Sequence, residues 1–228
     1  MSERRAAVAV RRGRAAKAPL TAESILEAAL GLIRQHGVDA VALRQVAEQV
    51  ETGPASLYAY FAGRDVLLEH VLDAAYGQVQ LVDAHDHADG WRGALAATIV
   101  NTVETLEQYP GLGSIALGTI PVLPGALRLA EHELALMDAG DVSADRAALA
   151  VDLIAQFAAS SAIERTVRSS SRGGDGEREQ VHTTYANADP GRFPRIRQHA
   201  ALLTAPDEQA RRGFAIRVLI DGIEGSTS

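Results

Sequence analysis

Apolar residues recur along most of this chain at intervals of three and four, and no stretch alternates long enough to make a useful strand, so the pattern predicts an all-α protein. Ile25, Leu26, Ala29, Leu32 and Ile33 fall on one face of a first helix that Thr21 can cap, with Glu23 in its first turn and Gly37 as its stop. Leu43, Val46, Ala47 and Val50 line a second, short helix. A turn at residues 51–53 then leads into Pro54, which suits the first position of a third helix. Residues 56–61 form a compact aromatic segment, and Arg64 and Asp65 open a fourth helix that the pattern carries to Leu81.

Further along, the polar run 83–90 reads as a loop and 91–108 as a helix, and Tyr109-Pro110-Gly111 starts a glycine-rich segment that ends at Ile120. Pro121 and Pro124 break the chain before a helix over 125–139. Ser143 caps a long helix through about residue 166, 169–179 reads as a polar linker, 192–203 as a short helix and 207–223 as the last one.

At Ile25-Leu26-x-x-Ala29, Gly37, Val46-Ala47, Leu57-Tyr58-x-x-Phe61 and Arg64-Asp65-x-Leu67-Leu68 the chain resembles the TetR family of bacterial transcriptional repressors. A second, sparser match, Asp189-Pro190-x-Arg192-Phe193-Pro194 with Phe214-x-x-x-Val218-Leu219-x-x-Gly222-Ile223-Glu224, is similar to the C-terminal half of the branch that contains the tetracycline repressor. The resemblance implies an N-terminal helix-turn-helix unit of three helices and a larger helical ligand-binding and dimerisation domain. On this reading residues 1–19 are a basic arm, 20–66 the DNA-binding domain and 67–228 the body.

Composition narrows the class. With 228 residues and 47% hydrophobic content a sizeable core can be buried, and the absence of cysteine excludes disulfides and thiolate metal sites. The N-terminal apolar run is too short for a secretory signal, and no segment reads as a bilayer span, so a cytoplasmic protein without a membrane partner is expected.

Charge is uneven. Residues 1–19 carry six Arg and Lys against Glu3, a net +5, while the whole chain has a net charge of -7. The segment 20–64 holds Arg34, Arg44 and Arg64 against five acids, a net -2. Phosphate neutralisation supplies most non-specific DNA affinity, so Arg11, Arg12 and Arg14 of the arm are expected to provide charge that the helix-turn-helix unit lacks.

Base reading falls to Pro54, Ala55, Ser56 and Ala59 beside Tyr60. None is a long amide or guanidinium, so recognition has to use methyl contacts, hydroxyls and DNA shape, with a leaning towards A·T pairs. The resemblance puts Tyr58 and Tyr60 at positions that touch phosphate or base edges, and Arg44 and Arg64 near helix ends where phosphates pass. For Tyr58, packing against Leu57 and Phe61 is the alternative. Three positions depart from the family pattern. Ala42 replaces a hydroxyl cap, and Gly53 stands where a serine cap is common. Glu51 replaces the turn glycine, so either Glu51 takes a positive φ or the turn is remodelled around Gly53.

A proline-broken helical body suits a cavity. Trp91, Leu95, Ile99, Tyr109, Ile115, Ile120, Leu123, Met137 and Phe157 are the expected apolar lining, with Thr102, Asp152, Gln156 and Glu164 as polar contacts to a small effector; the alternative is plain core packing for the apolar set, and solvent or the partner subunit for Asp152 and Glu164. Ala147, Val151, Ile154 and Ala158, with Phe214, Val218 and Leu219, are expected to join two subunits as a four-helix bundle. No cofactor, catalytic group or metal is expected. The acids and histidines of 83–89 lack metal-site spacing, and Glu131-His132-Glu133 reads as a solvated stretch. The favoured function is a ligand-responsive repressor that binds a palindromic operator as a dimer and is released by a largely apolar effector. The alternative is a helical small-molecule-binding or hydrolytic protein with a vestigial DNA-binding unit.

Overall fold

The computed structural model describes residues 19–170 and 174–225, and among them every regular element is helical. Twelve α-helices follow in chain order: α1 Ala22–His36, α2 Leu43–Gln49, α3 Pro54–Leu57, α4 Arg64–Gly77, α5 Gly90–Glu107, α6 Leu112–Gly118, α7 Pro124–Asp138, α8 Ala144–Ser170, α9 Gly174–Ala186, α10 Pro194–Gln198, α11 Ala200–Thr204 and α12 Glu208–Glu224. Arg11, Arg12 and Arg14 lie outside the described residues.

Local chemistry sets the first boundaries. Thr21 and Ser24 form a reciprocal capping box at the start of α1, and Gly37, at φ +79°, ends it with its N–H on the Ile33 carbonyl. Ala42 occupies the cap position of α2 with no side-chain hydrogen bond, as a methyl must. Glu51 takes the left-handed conformation, φ 51°, while Gly53 remains extended; of the two turn geometries open to the sequence, the one without remodelling is present.

Four expectations are revised. The glycine-rich segment after Gly111 is not broken throughout, because α6 forms inside it, with Leu112 and Gly113 buried against α8. Gly113 permits that approach: a Cβ there would stand 2.7 Å from the Ala159 carbonyl oxygen. Much of the stretch read as a linker is helical in α9, whose described side chains from Glu179 to Val181 are exposed and so leave no apolar stripe in the sequence. The short helix over 192–203 is two, α10 and α11, meeting at His199. Finally α8 is long and apolar enough by composition to cross a membrane, contrary to the reading that no segment is. Here it packs on α5, α6, α7 and α12.

Two apolar cores hold the molecule. The first runs without a break from Ile25, Ile33, Val46, Leu57 and Phe61 through Leu67, Leu68 and Val71 of α4 to Val103, Leu112, Leu129 and Ala162. The second joins Leu95 and Ile99 of α5, Met137 of α7, Ala147 and Ile154 of α8, and Ile216, Ile220 and Ile223 of α12. Ion pairs fix α12 antiparallel to α5: Arg92 meets Asp221 and Glu224 at one end, Arg212 meets Glu107 at the other. Burial lifts the Glu107 carboxyl above its usual range, and the neighbouring Arg212 and Arg165 pull the other way.

Candidate nucleic-acid interface and ligand cleft

The expected reading element is short because only Pro54–Leu57 keeps helical geometry, with Pro54 at its first turn; Tyr58 to Tyr60 continue as a turn. Leu57 and Phe61 point into the core, leaving Pro54, Ala55, Ser56, Ala59 and Tyr60 exposed on the other side. Tyr58 is 58% exposed, so the packing alternative for it does not hold. Ser56 accepts a hydrogen bond from Thr52 Oγ1 at 3.2 Å, which ties the turn to the short helix. Tyr60 donates through its hydroxyl to the Leu20 carbonyl at 2.7 Å.

The two arginines differ. Arg44 is exposed on α2 and pairs with Glu48 one turn on, a surface ion pair of little energetic weight. Arg64 instead donates from Nε to the Val41 carbonyl at 2.7 Å and from Nη2 to the Val38 carbonyl at 3.0 Å. It braces the chain between α1 and α2 rather than standing free towards solvent. Sequence reasoning passed over Gln45 and Gln49, exposed amides on α2 beside this face.

The expected ligand lining is mostly core. Leu95, Ile99 and Met137 are sealed in the second core. Thr102 is buried and donates to the Thr98 carbonyl within α5. Trp91 is half-buried against Gly140, and Asp152 is exposed and accepts from Gln156. Phe157 borders a groove between α8 and α12 that also has Glu164, Arg168, Glu208, Arg211 and Arg212 along it. Tyr109 has a different role: 1% exposed, it accepts from Arg34 of α1 at 2.8 Å and donates to Gln78 at the end of α4 at 2.7 Å. It links the DNA-binding unit to the body.

Of the expected set, Ile120 and Leu123 border the cleft formed by α4, the segment 119–123 and the start of α7. This cleft, about 60 Å³ in volume and open to solvent, has Glu69, Leu72, Asp73 and Tyr76 on the α4 side and Thr119, Pro121, Val122, Leu123 and Ala126 on the other. Ile120 is 81% exposed at its edge. Asp73 crosses from α4 to accept from the Ala126 N–H at 2.9 Å, capping the first turn of α7. Glu133, read as solvated, is 3% exposed; burial pushes its carboxyl up to about 8. The clue was present in the sequence, since Glu133 stands in register with Ala126, Leu129, Leu136 and Met137.

The expected dimer row on α8 is also revised. Ala147, Ile154 and Ala158 are buried within the protomer and Val151 is half-buried, whereas Leu149 and Leu153 are exposed. On α12, Phe214 and Val218 are exposed and Leu219 is half-buried. Asp83, His85 and Asp86 bring their polar atoms within 4.8 Å of one another on the surface, whereas His87 turns away to lie over Gly93.

A helix-turn-helix presented by a helical body that carries its own cleft defines a DNA-binding regulator of the one-component type. Residues 25–71 match the family of bacterial regulatory proteins named for tetR, and residues 84–226 match the tetracyclin repressor-like C-terminal domain. The chain belongs to the TetR family of transcriptional regulators. It is 28% identical to the HTH-type transcriptional repressor DrrR1 of Streptomyces coeruleorubidus over 94% of this chain and 81% of that one. It is 25% identical to the class A tetracycline repressor of Escherichia coli, covering 90% of each. ActR from Streptomyces coelicolor, solved in complex with actinorhodin, superposes with a TM-score of 0.81 at 27% identity, over 90% of this chain and 97% of that one. These relatives are regulators, not enzymes.

Proposed function

We propose that this regulator binds a palindromic operator as a homodimer in the cytoplasm and leaves it when a small, largely apolar effector enters the cleft beside α4. The observation that carries the reading is the double attachment of α4. Its first residue, Arg64, is fastened to the backbone of the DNA-binding unit, and its later residues Leu72, Asp73 and Tyr76 form a wall of the cleft. A ligand that favours one position of that wall changes the placement of α3, and its differential affinity for the two positions sets the size of the response. We divide the chain functionally into an arm over 1–19, a reading unit over 20–66 and a body over 67–228.

Pro54, Ala55, Ser56, Tyr58 and Tyr60 are the reading face, Arg44 a phosphate contact, and Arg11, Arg12 and Arg14 further phosphate contacts. Leu149 and Leu153 of α8 with Phe214 and Val218 of α12 form the dimer face, because these apolar side chains are exposed on two adjoining helices. Footprinting on the DNA upstream of the gene, together with sedimentation of the free protein, tests both parts. The expected results are a dimer and two protected half-sites a whole number of helical turns apart. A monomer, or protection of no symmetric site, overturns the reading.

A further inference from the structure

The cleft beside α4 has a particular chemistry. Its walls are apolar apart from Glu69, Asp73, Thr119 and the Tyr76 phenol, and no lysine, arginine or histidine borders it. Behind it lies a carboxyl with no partner: Glu133 has no hydrogen bond or ion pair among the described residues and is 3% exposed. It sits seven residues beyond Ala126 of the cleft wall, two turns along the same face of α7. Tyr76 is common to both surroundings: it borders the cleft, and burial, with a smaller contribution from the Glu133 carboxylate, pushes its phenol up to about 12.

We propose that the effector is an apolar molecule bearing a protonated amine, and that Glu133 is the counter-ion the amine reaches when the Tyr76 ring is displaced. The inference rests on the cleft being the effector site. A buried carboxylate without a partner is costly, and a buried carboxylate paired with a cation is not. The interior as it stands offers Glu133 no such cation. Across α4 the ionisable groups on the cleft side are Glu69, Asp73 and Tyr76. The buried polar groups of α5 are the hydroxyls of Thr98, Thr102 and Thr105, and the buried row of α8 is Ala147, Ala150, Ile154 and Ala158. On α7 itself the adjacent His132 is turned to the Val82 carbonyl at 3.0 Å. A neutral or anionic molecule gains nothing from this arrangement. A cationic one converts a neutral carboxyl into an ion pair and releases its proton to solvent.

Calorimetric titration of the full chain with phenylbutylamine, phenylbutanol and phenylbutyrate, which share one apolar body and differ in charge, tests the inference. At pH 7 the amine should bind about ten-fold tighter than the alcohol and the carboxylate weakest. Repeating the amine titration in buffers of different ionisation enthalpy should show release of close to one proton, and the amine affinity should rise with pH and level off above about 8. In Glu133→Gln the amine should fall to the affinity of the alcohol with no proton released, while the alcohol binds as before. Equal binding of amine and alcohol by the unaltered protein, or amine binding without proton release, overturns the counter-ion role and leaves the cleft standing. Failure of all three to bind removes the cleft and the counter-ion together. The proton count on the unaltered chain decides the matter even if the variant folds poorly.

Discussion

The DNA-binding unit meets the body through two joints of opposite character. One is apolar: Leu67, Leu68, Val71, Leu72 and Ala75 of α4 carry a single core from the reading unit into the body. The other is polar: Arg34, Tyr109 and Gln78 share a hydroxyl, the Val38 N–H donates to the Pro110 carbonyl at 2.9 Å, and the Arg34 guanidinium lies 5.0 Å from the Tyr109 ring centre. Hydrophobic contact is non-directional and tolerates small shifts, whereas a hydrogen bond is made or lost over a fraction of an ångström. The apolar joint therefore keeps the two units together, and the polar joint distinguishes one relative position from another.

The largest expected effect probes a polar flaw packed beside the apolar joint, Glu133. Because the folded-state value of Glu133 is raised from 4.5 to about 8, the stability it permits is fully present below the lower value and is lost as pH rises through the higher. Thermal melts of the unaltered protein should lose on the order of 3 kcal/mol between pH 5 and pH 8, and Glu133→Gln should flatten that slope. A slope that survives the substitution assigns it elsewhere.

Next in size is Gly111→Ala. This glycine sits at φ +89°, and a Cβ would stand 2.5 Å from Val38 Cγ1, so the substitution wedges the polar joint open at a cost of about 2 kcal/mol. The melting temperature should fall by several degrees, and operator affinity should fall with it if relative position matters.

Smaller still, Tyr109→Phe keeps the ring under Arg34 and removes both hydroxyl hydrogen bonds, for about 1 kcal/mol. Its informative readout is the concentration of effector needed for release from DNA, which should shift while binding of the effector to free protein does not. Arg44→Ala should leave the melting temperature unchanged and weaken DNA binding with a shallower salt dependence. An unaltered slope in a fluorescence titration would remove Arg44 from the phosphate contacts.

How much of this was legible in the sequence depends on whether the determinant is local. Thr21, Gly37 and Pro54 act within a few residues of themselves, and each does in the structure what its chemistry dictates; at Glu51, where the sequence left two turns open, the structure takes the left-handed one. The helix in the glycine-rich segment was missed because α8, rather than propensity, holds it in place. The alanine row of α8 was read with the right physics and the wrong partner: small side chains do permit close approach, but to helices of the same chain, and it is Leu149 and Leu153 that remain outside. The cleft was least legible, because Tyr76 and Val122 come from distant segments and neither has a spacing that links them. Glu133 was the exception, a carboxylate in register with core positions that was read together with Glu131 and His132 as one solvated stretch.

The hydrogen bond from Tyr60 to Leu20 has a geometric consequence for the basic stretch that precedes it. It holds Leu20, at the entry to α1, beside the proposed reading face, forty residues away along the chain. Eighteen residues of backbone span at most about 60 Å, so the phosphate contacts proposed for the basic segment would act within that reach of the proposed reading face.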